Sequence, residues 1–444
     1  MSGPTRRDLL RVGAAGVAAG TAGCVQRTAA VSQDAARILT QTVPGLDRTE
    51  GGSIDLAADP QFPMVGADAQ RSNAVPDVSG PSSGVEPGWR FASGQGRVSQ
   101  PVVGNGTVAV VGSNPDHDAT HSADLNLYAL DPTSGELRFN FQGDTTVWSG
   151  AGALIRNGRV YMGSVAVSTD LGDGGVRLTP GNPDPEQRPD VWEADGSRRA
   201  RSAGSPVATG GAVVTVGPDG VVAAFHPESG SSHWRTDLHE AFDHVGPMGG
   251  AAVSRAGYLC YGVSGTDGDG LGVHQTSDGA FSPVSLRSPP VGTPTVRGRS
   301  AYVACRDVGD GPALVRVDLA EPETTATREW DGVSAVAPPA VAGDDIVVCL
   351  EDGRVTRVGG TLETERWSTT LSARPVGVTT SADTAYVSVA DSDAEAGGIV
   401  ALALSSGDLR FTESLSHPLT TAPTVLERGI LVGDSAGTVH GLGE

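Results

Sequence analysis

Two stretches of this 444-residue chain carry side chains that could hold a cation. Asp116, His117, Asp118, His121 and Asp124 crowd one, and His239, Glu240, Asp243 and His244 crowd the other. Carboxylates are hard oxygen donors for calcium or magnesium, and imidazole with carboxylate suits zinc. Neither spacing completes a ligand pattern. Asp267-Gly-Asp269-Gly lacks the twelve-residue calcium loop with its terminal Glu. His117 and His121 would share a face only on a helix, and their surroundings read as loop. More acids recur in pairs, at Asp170 and Asp173, Asp267 and Asp269, Asp307 and Asp310, and Asp391 and Asp393. They form a crown of acidic, glycine-rich loops, which is either a binding face or a set of Asp-Gly turns on an acidic surface. No catalytic, cofactor or metal-ligating residue is assigned.

The elements that must carry those loops are repeated. Residues 99–141 hold four short apolar runs, separated by Gly-Asn-Gly, an Asp-rich loop and Asp-Pro-Thr-Ser-Gly-Glu. Alternating runs with such turns make a four-stranded antiparallel sheet. Copies follow at 203–238, 289–331, 333–371 and 374–415, with weaker ones at 147–202 and 245–286. The last copy, 419–444, has only three strands, and Trp89-Arg90-Phe91 ahead of the first copy supplies a fourth. Joining the two removes an open edge. The expected fold is an all-β, eight-bladed β-propeller of four-stranded blades, closed by that N-terminal strand, with about 45 residues per blade. An aromatic in most of the fourth strands (Trp89, Phe139, Trp234, Phe281, Trp330, Trp367, Phe411) is expected to dock between blades, with a glycine in the turn before the strand.

Composition narrows the partners. Net charge is −21, and all 31 basic residues are Arg. Such a field disfavours nucleic acid and suits a salt-adapted protein whose self-repulsion salt screens. Cys260, Cys305 and Cys349 each fall near the second strand of successive copies, and read as small buried hydrophobes.

The N-terminus reads as an address. Arg6 and Arg7, followed by the short apolar run 12–22, resemble a twin-arginine export signal, and Thr21-Ala22-Gly23-Cys24 resembles a lipobox with Cys24 as the lipidated residue. The apolar run is about half the ~20 residues a spanning helix needs. The expected organisation is signal and lipobox 1–24, flexible tether 25–61, lead-in 62–87 and propeller 88–444.

The repeat pattern resembles that of the quinoprotein-like propellers, which include quinone (PQQ)-dependent dehydrogenases and the BamB-type assembly scaffold. The lead-in Phe62-Pro63-Met64-Val65-Gly66-Ala67-Asp68, followed by Gly88-Trp89-Arg90-Phe91, resembles the entry to haloarchaeal members. The resemblance implies two functions. One is a lipid-anchored, monomeric scaffold on the outer face of the cytoplasmic membrane, binding an envelope protein or peptide through the loop crown. The other is a PQQ-dependent oxidoreductase using PQQ with calcium. The chain has no adjacent Cys-Cys pair and no Cys-x-x-Cys-His haem motif. That favours the scaffold, with no cofactor.

Overall fold

A computed structural model describes residues 49–56 and 62–444, apart from 114–124, 144–151, 169–190, 194–203, 239–245, 307–312 and short breaks at 158, 163–164, 218–219, 228, 248, 266–267 and 392. Every regular element within these residues is a β-strand, and no helix there is long and apolar enough to cross a membrane. The strands follow from short β-branched runs between glycine turns. Val213–Val216 and Val221–Phe225, for example, are buried throughout and pair across a turn ending at Gly220, φ +73°.

The strands form antiparallel sheets arranged as blades of a propeller. Blades 1 to 7 span 97–143, 154–193, 207–237, 246–286, 295–328, 340–370 and 374–415. First strands of successive blades touch one another around the axis, so each blade runs outward from its first strand. The hydrophobic core lies between blades rather than within one. A single cluster joins Met64, Leu154 and Tyr161 to Val214, Leu259 and Tyr261, drawing on blades 2, 3 and 4. Burying one such valine or leucine contributes about 1.5–3 kcal/mol, so each blade is held mainly by its neighbours.

The expectation of eight uniform four-stranded blades needs correction. Seven blades are each cut from one continuous stretch of chain, and the remaining sheet is a composite of both chain ends. Three sheets also hold five strands rather than four. In blade 1 the first strand is split into Arg97–Val98 and Val102–Gly104, both pairing with Thr107–Ser113. Pro101, which has no N–H to donate, lies in the gap. Blade 4 is split likewise, into Gly246–Pro247 and Ala252–Val253, around Gly249 and Gly250. The composite sheet runs Thr424–Leu426, Gly429–Gly433, Thr438–Gly443, Glu86–Ala92 and Thr49–Gly51. Two N-terminal strands therefore close the ring where one was expected. The outer one falls in the stretch read from sequence as tether.

A register shift recurs where the third strand meets the fourth. It sits between Ala129 and Leu130, Ala224 and Phe225, Arg316 and Val317, Arg357 and Val358, and Ala401 and Leu402. The residue opposite its first member is Phe139, Trp234, Ala326, Trp367 and Phe411 in turn. A bulge re-aims the side chain beside it, which gives this position its role.

Candidate functional site at the propeller axis

The lead-in does not hang ahead of the propeller; it runs across its axis. Phe62 exchanges backbone hydrogen bonds with Val103 of blade 1 (2.9 and 2.7 Å), and Ile155 of blade 2 donates to Pro63 O at 2.7 Å. Ala69 O, Gln70 O, Ser72 O and Asn73 O then accept from Val253, Val296, Val341 and Thr380, the first strands of blades 4, 5, 6 and 7. These bonds lie towards the ends of the first strands, beside the turns into the second strands. Blade 3 is reached through Arg71.

Arg71 is 2% exposed and spends its guanidinium on carbonyls. Nε donates to Ala251 O (3.1 Å), Nη2 donates to Ser205 O (2.9 Å) and Pro206 O (2.8 Å), and Nη1 donates to Val65 O. Burial lowers its pKa to about 10, so it stays a cation at neutral pH. Its backbone at φ +51° is left-handed, as are Ala67 and Asn73. Three such residues in one short stretch hold the chain in a tight path that its axial contacts fix. Elsewhere around the axis threonines do the same work. Thr295 donates to Pro339 O (2.6 Å), Thr379 to Pro423 O (2.6 Å) and Thr424 to Pro101 O (2.5 Å), each a bond to the next blade or sheet.

Beside this segment a cavity of about 330 Å³ opens between blades 3 and 4, with Asp68 and Gln70 from the lead-in and Thr209, Ser254, Arg255 and Thr276 from the blade turns. Asp68 accepts from Ser72 N and Ser72 Oγ, both at 3.0 Å. Burial raises its pKa, opposed by those bonds and by Arg71. The hydroxyls are occupied: Thr209 accepts from Ala212 N, Ser254 accepts from Tyr258 N, and Thr276 donates to Gly257 O. Among the described residues its lining is partly polar and pairs no nucleophile with a base.

Other buried titratable groups are locked into the blades. His274 stacks on Trp234 and Tyr261 (centroids 5.5 and 5.6 Å), donates from Nδ1 to Gly279 O (3.1 Å) and accepts at Nε2 from Tyr261 OH (2.7 Å). Asp434 faces His440 at 2.8 Å and accepts from the N–H groups of Ala436 and Thr438. Burial works to raise the Asp434 pKa, but these bonds outweigh it and hold the carboxyl below its ordinary range. Cys260, Cys305 and Cys349 are free and buried. Burial pushes Cys305 and Cys349 up to about 12 and Cys260 higher still, so none is a thiolate.

Of the predicted acidic loop residues, Asp269, Asp391 and Asp393 fall among the described residues. Asp269 accepts from Ser264 Oγ at 2.6 Å within blade 4, and Asp391 accepts from the N–H groups of Asp393 and Ala394 as a turn cap. Asp116, Asp118, Asp170, Asp173, Asp267, Asp307 and Asp310 lie outside the described residues, as do Arg6, Arg7, Cys24 and the candidate clusters at 116–124 and 239–244. Among the described residues no three His, Cys, Asp or Glu side chains come together as a metal site would need.

The aromatics divide into two kinds. Trp89 donates from Nε1 to Pro132 O (3.0 Å) and lies flat on Gly135 of blade 1, φ +70°, where any Cβ would strike the indole. Trp234 does the same over Gly279 of blade 4, and Trp367 over Gly407 of blade 7, where a Cβ would come within 2.7 Å of the ring. Trp330 does not. It lies beyond the fourth strand of blade 5, with the Arg328 guanidinium 5.5 Å from its ring, and its indole N–H is buried with no hydrogen-bond partner. The docking register in blade 5 belongs to Ala326, whose small side chain hid the position in the sequence. Phe281 packs tilted against His274 (centroids 4.8 Å) and Phe411 tilted against Tyr386 (6.4 Å); Phe139 holds the docking register in blade 1.

Sequence reading missed Asp68 and Arg71. The left-handed path through 67–73 carries no glycine after Gly66, so composition did not mark it. Their signal was the single Arg of residues 62–87, standing three positions after an Asp.

No curated protein sequence matches the chain. A family model described as "Outer membrane protein assembly factor BamB" matches residues 182–396. Among solved structures, quinohemoprotein alcohol dehydrogenase from Comamonas testosteroni aligns with TM-score 0.63 at 12% identity, over 87% of this chain and 81% of that one. BamB from Moraxella catarrhalis aligns with TM-score 0.52 at 15% identity, over 81% of this chain and all of that one. A europium-containing methanol dehydrogenase gives TM-score 0.61 at 10% identity, over 87% and 98%. At these identities the structures share the fold alone. The family model covers a little under half of the chain, and the propeller that carries this stretch shares its fold with the three solved structures.

Proposed function

We propose that this chain is a non-catalytic scaffold of the cell envelope, a propeller whose rim loops bind a protein or peptide. In this reading it is exported through the signal around Arg6 and Arg7 and held at the outer face of the cytoplasmic membrane by a lipid on Cys24. The observation that carries the reading is the use of the polar interior. Arg71, His274, Asp434 and the axial threonines all bond within the chain, and the cysteines are held as thiols. Groups satisfied by the fold itself serve architecture, which leaves the rim for partners. The match of 182–396 to a BamB-type model supports this, since that family's name records an assembly role.

The test is capture of envelope proteins by the tagged full-length chain in multi-molar salt, compared with a variant shortened across 170–189. A partner retained by the first and lost by the second is the expected result. A low-molecular-weight chromophore released with stoichiometric calcium, and no partner, would reject the scaffold.

A further inference from the structure

The outer edge of the composite sheet is covered by a short segment seated as a bound peptide would be. Thr49–Gly51 pairs with Glu86–Ala92, Thr49 opposite Phe91 and Gly51 opposite Trp89. Gly52 N donates to Gly88 O (2.8 Å), then Ile54 N crosses to blade 1 and donates to Thr133 O (2.9 Å). Thr49 Oγ1 donates to Gly135 O of the same turn (3.0 Å). Further on, Leu56 O accepts from Arg428 N, and Asp55 pairs with the Arg428 side chain at 2.8 Å. Glu50 pairs with Arg90. Eight residues thus touch the N-terminal strand, the C-terminal strands and blade 1, the three parts that meet where the ring closes.

The surface beneath them is shaped for side chains. A Cβ on Gly88 would strike Ile54, one on Gly443 would come within 3.1 Å of it, and one on Gly429 would strike Leu56. Ile54 is half-buried, and Leu56, 2% exposed, joins the core cluster of Trp89, Phe91, Val439 and Leu442. Missing side chains at three positions form a groove that accepts two branched ones, spaced two apart on an extended backbone. This is the arrangement by which sheet edges recognise peptides.

We propose that residues 49–56 are a detachable strap, docked in cis in a glycine-lined groove, that holds the seam of the ring shut. Its ion pairs are exposed and contribute little. Its hold therefore comes from Ile54, Leu56 and the backbone bonds, few enough to release without unfolding the blades. The proposal goes beyond the scaffold reading and does not depend on it.

The test uses the full chain and its Ile54→Ala/Leu56→Ala variant, compared by amide hydrogen exchange. Exchange in Glu86–Ala92 and Thr438–Gly443 should quicken tenfold or more in the variant, with blades 4 to 6 unchanged. A synthetic peptide of residues 48–57, added at millimolar concentration, should restore protection in the variant, and should not do so when Gly88→Val fills the groove. No quickening at the seam would show that the strap does not hold it. Equal quickening in all blades would show that it is part of the cooperative fold and not detachable. Seam quickening that the peptide fails to reverse would show that the groove does not bind the segment as a separable piece. Each of these three results overturns the proposal.

Discussion

Lowering the pH from 7 to 4 should strain blade 4 through His274. The ring is fully buried, with Nδ1 committed to Gly279 O and Nε2 to the Tyr261 hydroxyl. A second proton would have to enter at Nε2, against a hydroxyl that now donates and inside an aromatic stack. Burial therefore lowers the pKa from its ordinary 6.5 to about 4, only partly opposed by the Gly279 carbonyl. The unfolded chain takes up this proton below about 6.5, and the folded chain only near 4. Between those values the unfolded state binds more protons, so the stability is whole above pH 6.5 and is lost as the pH falls. The drop corresponds to roughly 3 kcal/mol. His274→Phe keeps an aromatic in the stack and removes the titration. Urea midpoints of both proteins at pH 7, 5.5 and 4, in constant multi-molar salt, isolate the effect, because the other titrating groups cancel in the difference. The wild type should lose about 3 kcal/mol more than the variant over that range. Parallel curves would refute the reasoning and mean that water reaches the ring.

Three other outcomes follow from the geometry. Arg71→Met should lower stability by about 3 kcal/mol, because buried carbonyls lose donors worth roughly 1–3 kcal/mol each while the cost of burying a cation disappears; Arg71→Lys should fall between, and a melt unchanged by either would deny the axial role. Trp367→Ala should cost about 3–5 kcal/mol through its lost packing on Gly407. Trp330→Ala should cost less, since it also removes an unsatisfied N–H; equal losses by calorimetry would reverse that ranking. Cys260, Cys305 and Cys349 should resist iodoacetamide in the folded protein and react fully in denaturant, as mass spectrometry would show; labelling of the native chain would contradict their burial.

The all-β propeller class was legible because its signals are local, whereas the expected eight uniform four-stranded blades were not borne out. Glycine turns and alternating valines recur in every copy, so strand existence and blade order can be read one segment at a time. The joining of Trp89–Phe91 to the last strands was legible too, since three strands at one end lacked a fourth at the other. The unequal strand count was not, because a split first strand depends on where Pro101 and Gly249 meet a neighbouring blade. The axial site was hidden for the same reason. Arg71 is one arginine among 31, and nothing in its own neighbourhood says that its guanidinium meets carbonyls at 205, 206 and 251. Thr49–Gly51 was misread as tether because three polar residues show no period, and their partner strand lies some forty positions away.

The lead-in also has an evolutionary consequence. It meets the blades in chain order, Pro63 at blade 2, Ala69 at blade 4, Gln70 at blade 5, Ser72 at blade 6 and Asn73 at blade 7, like a ruler laid across the ring. Tandem repeats are easily gained or lost by duplication, and a propeller built only of like units would tolerate the change by altering its curvature. Here a gained or lost unit would put each later rung out of step with its mark. The number of repeats is thus metered by residues 62–78, and lineages that vary it must rewrite that short stretch at the same time.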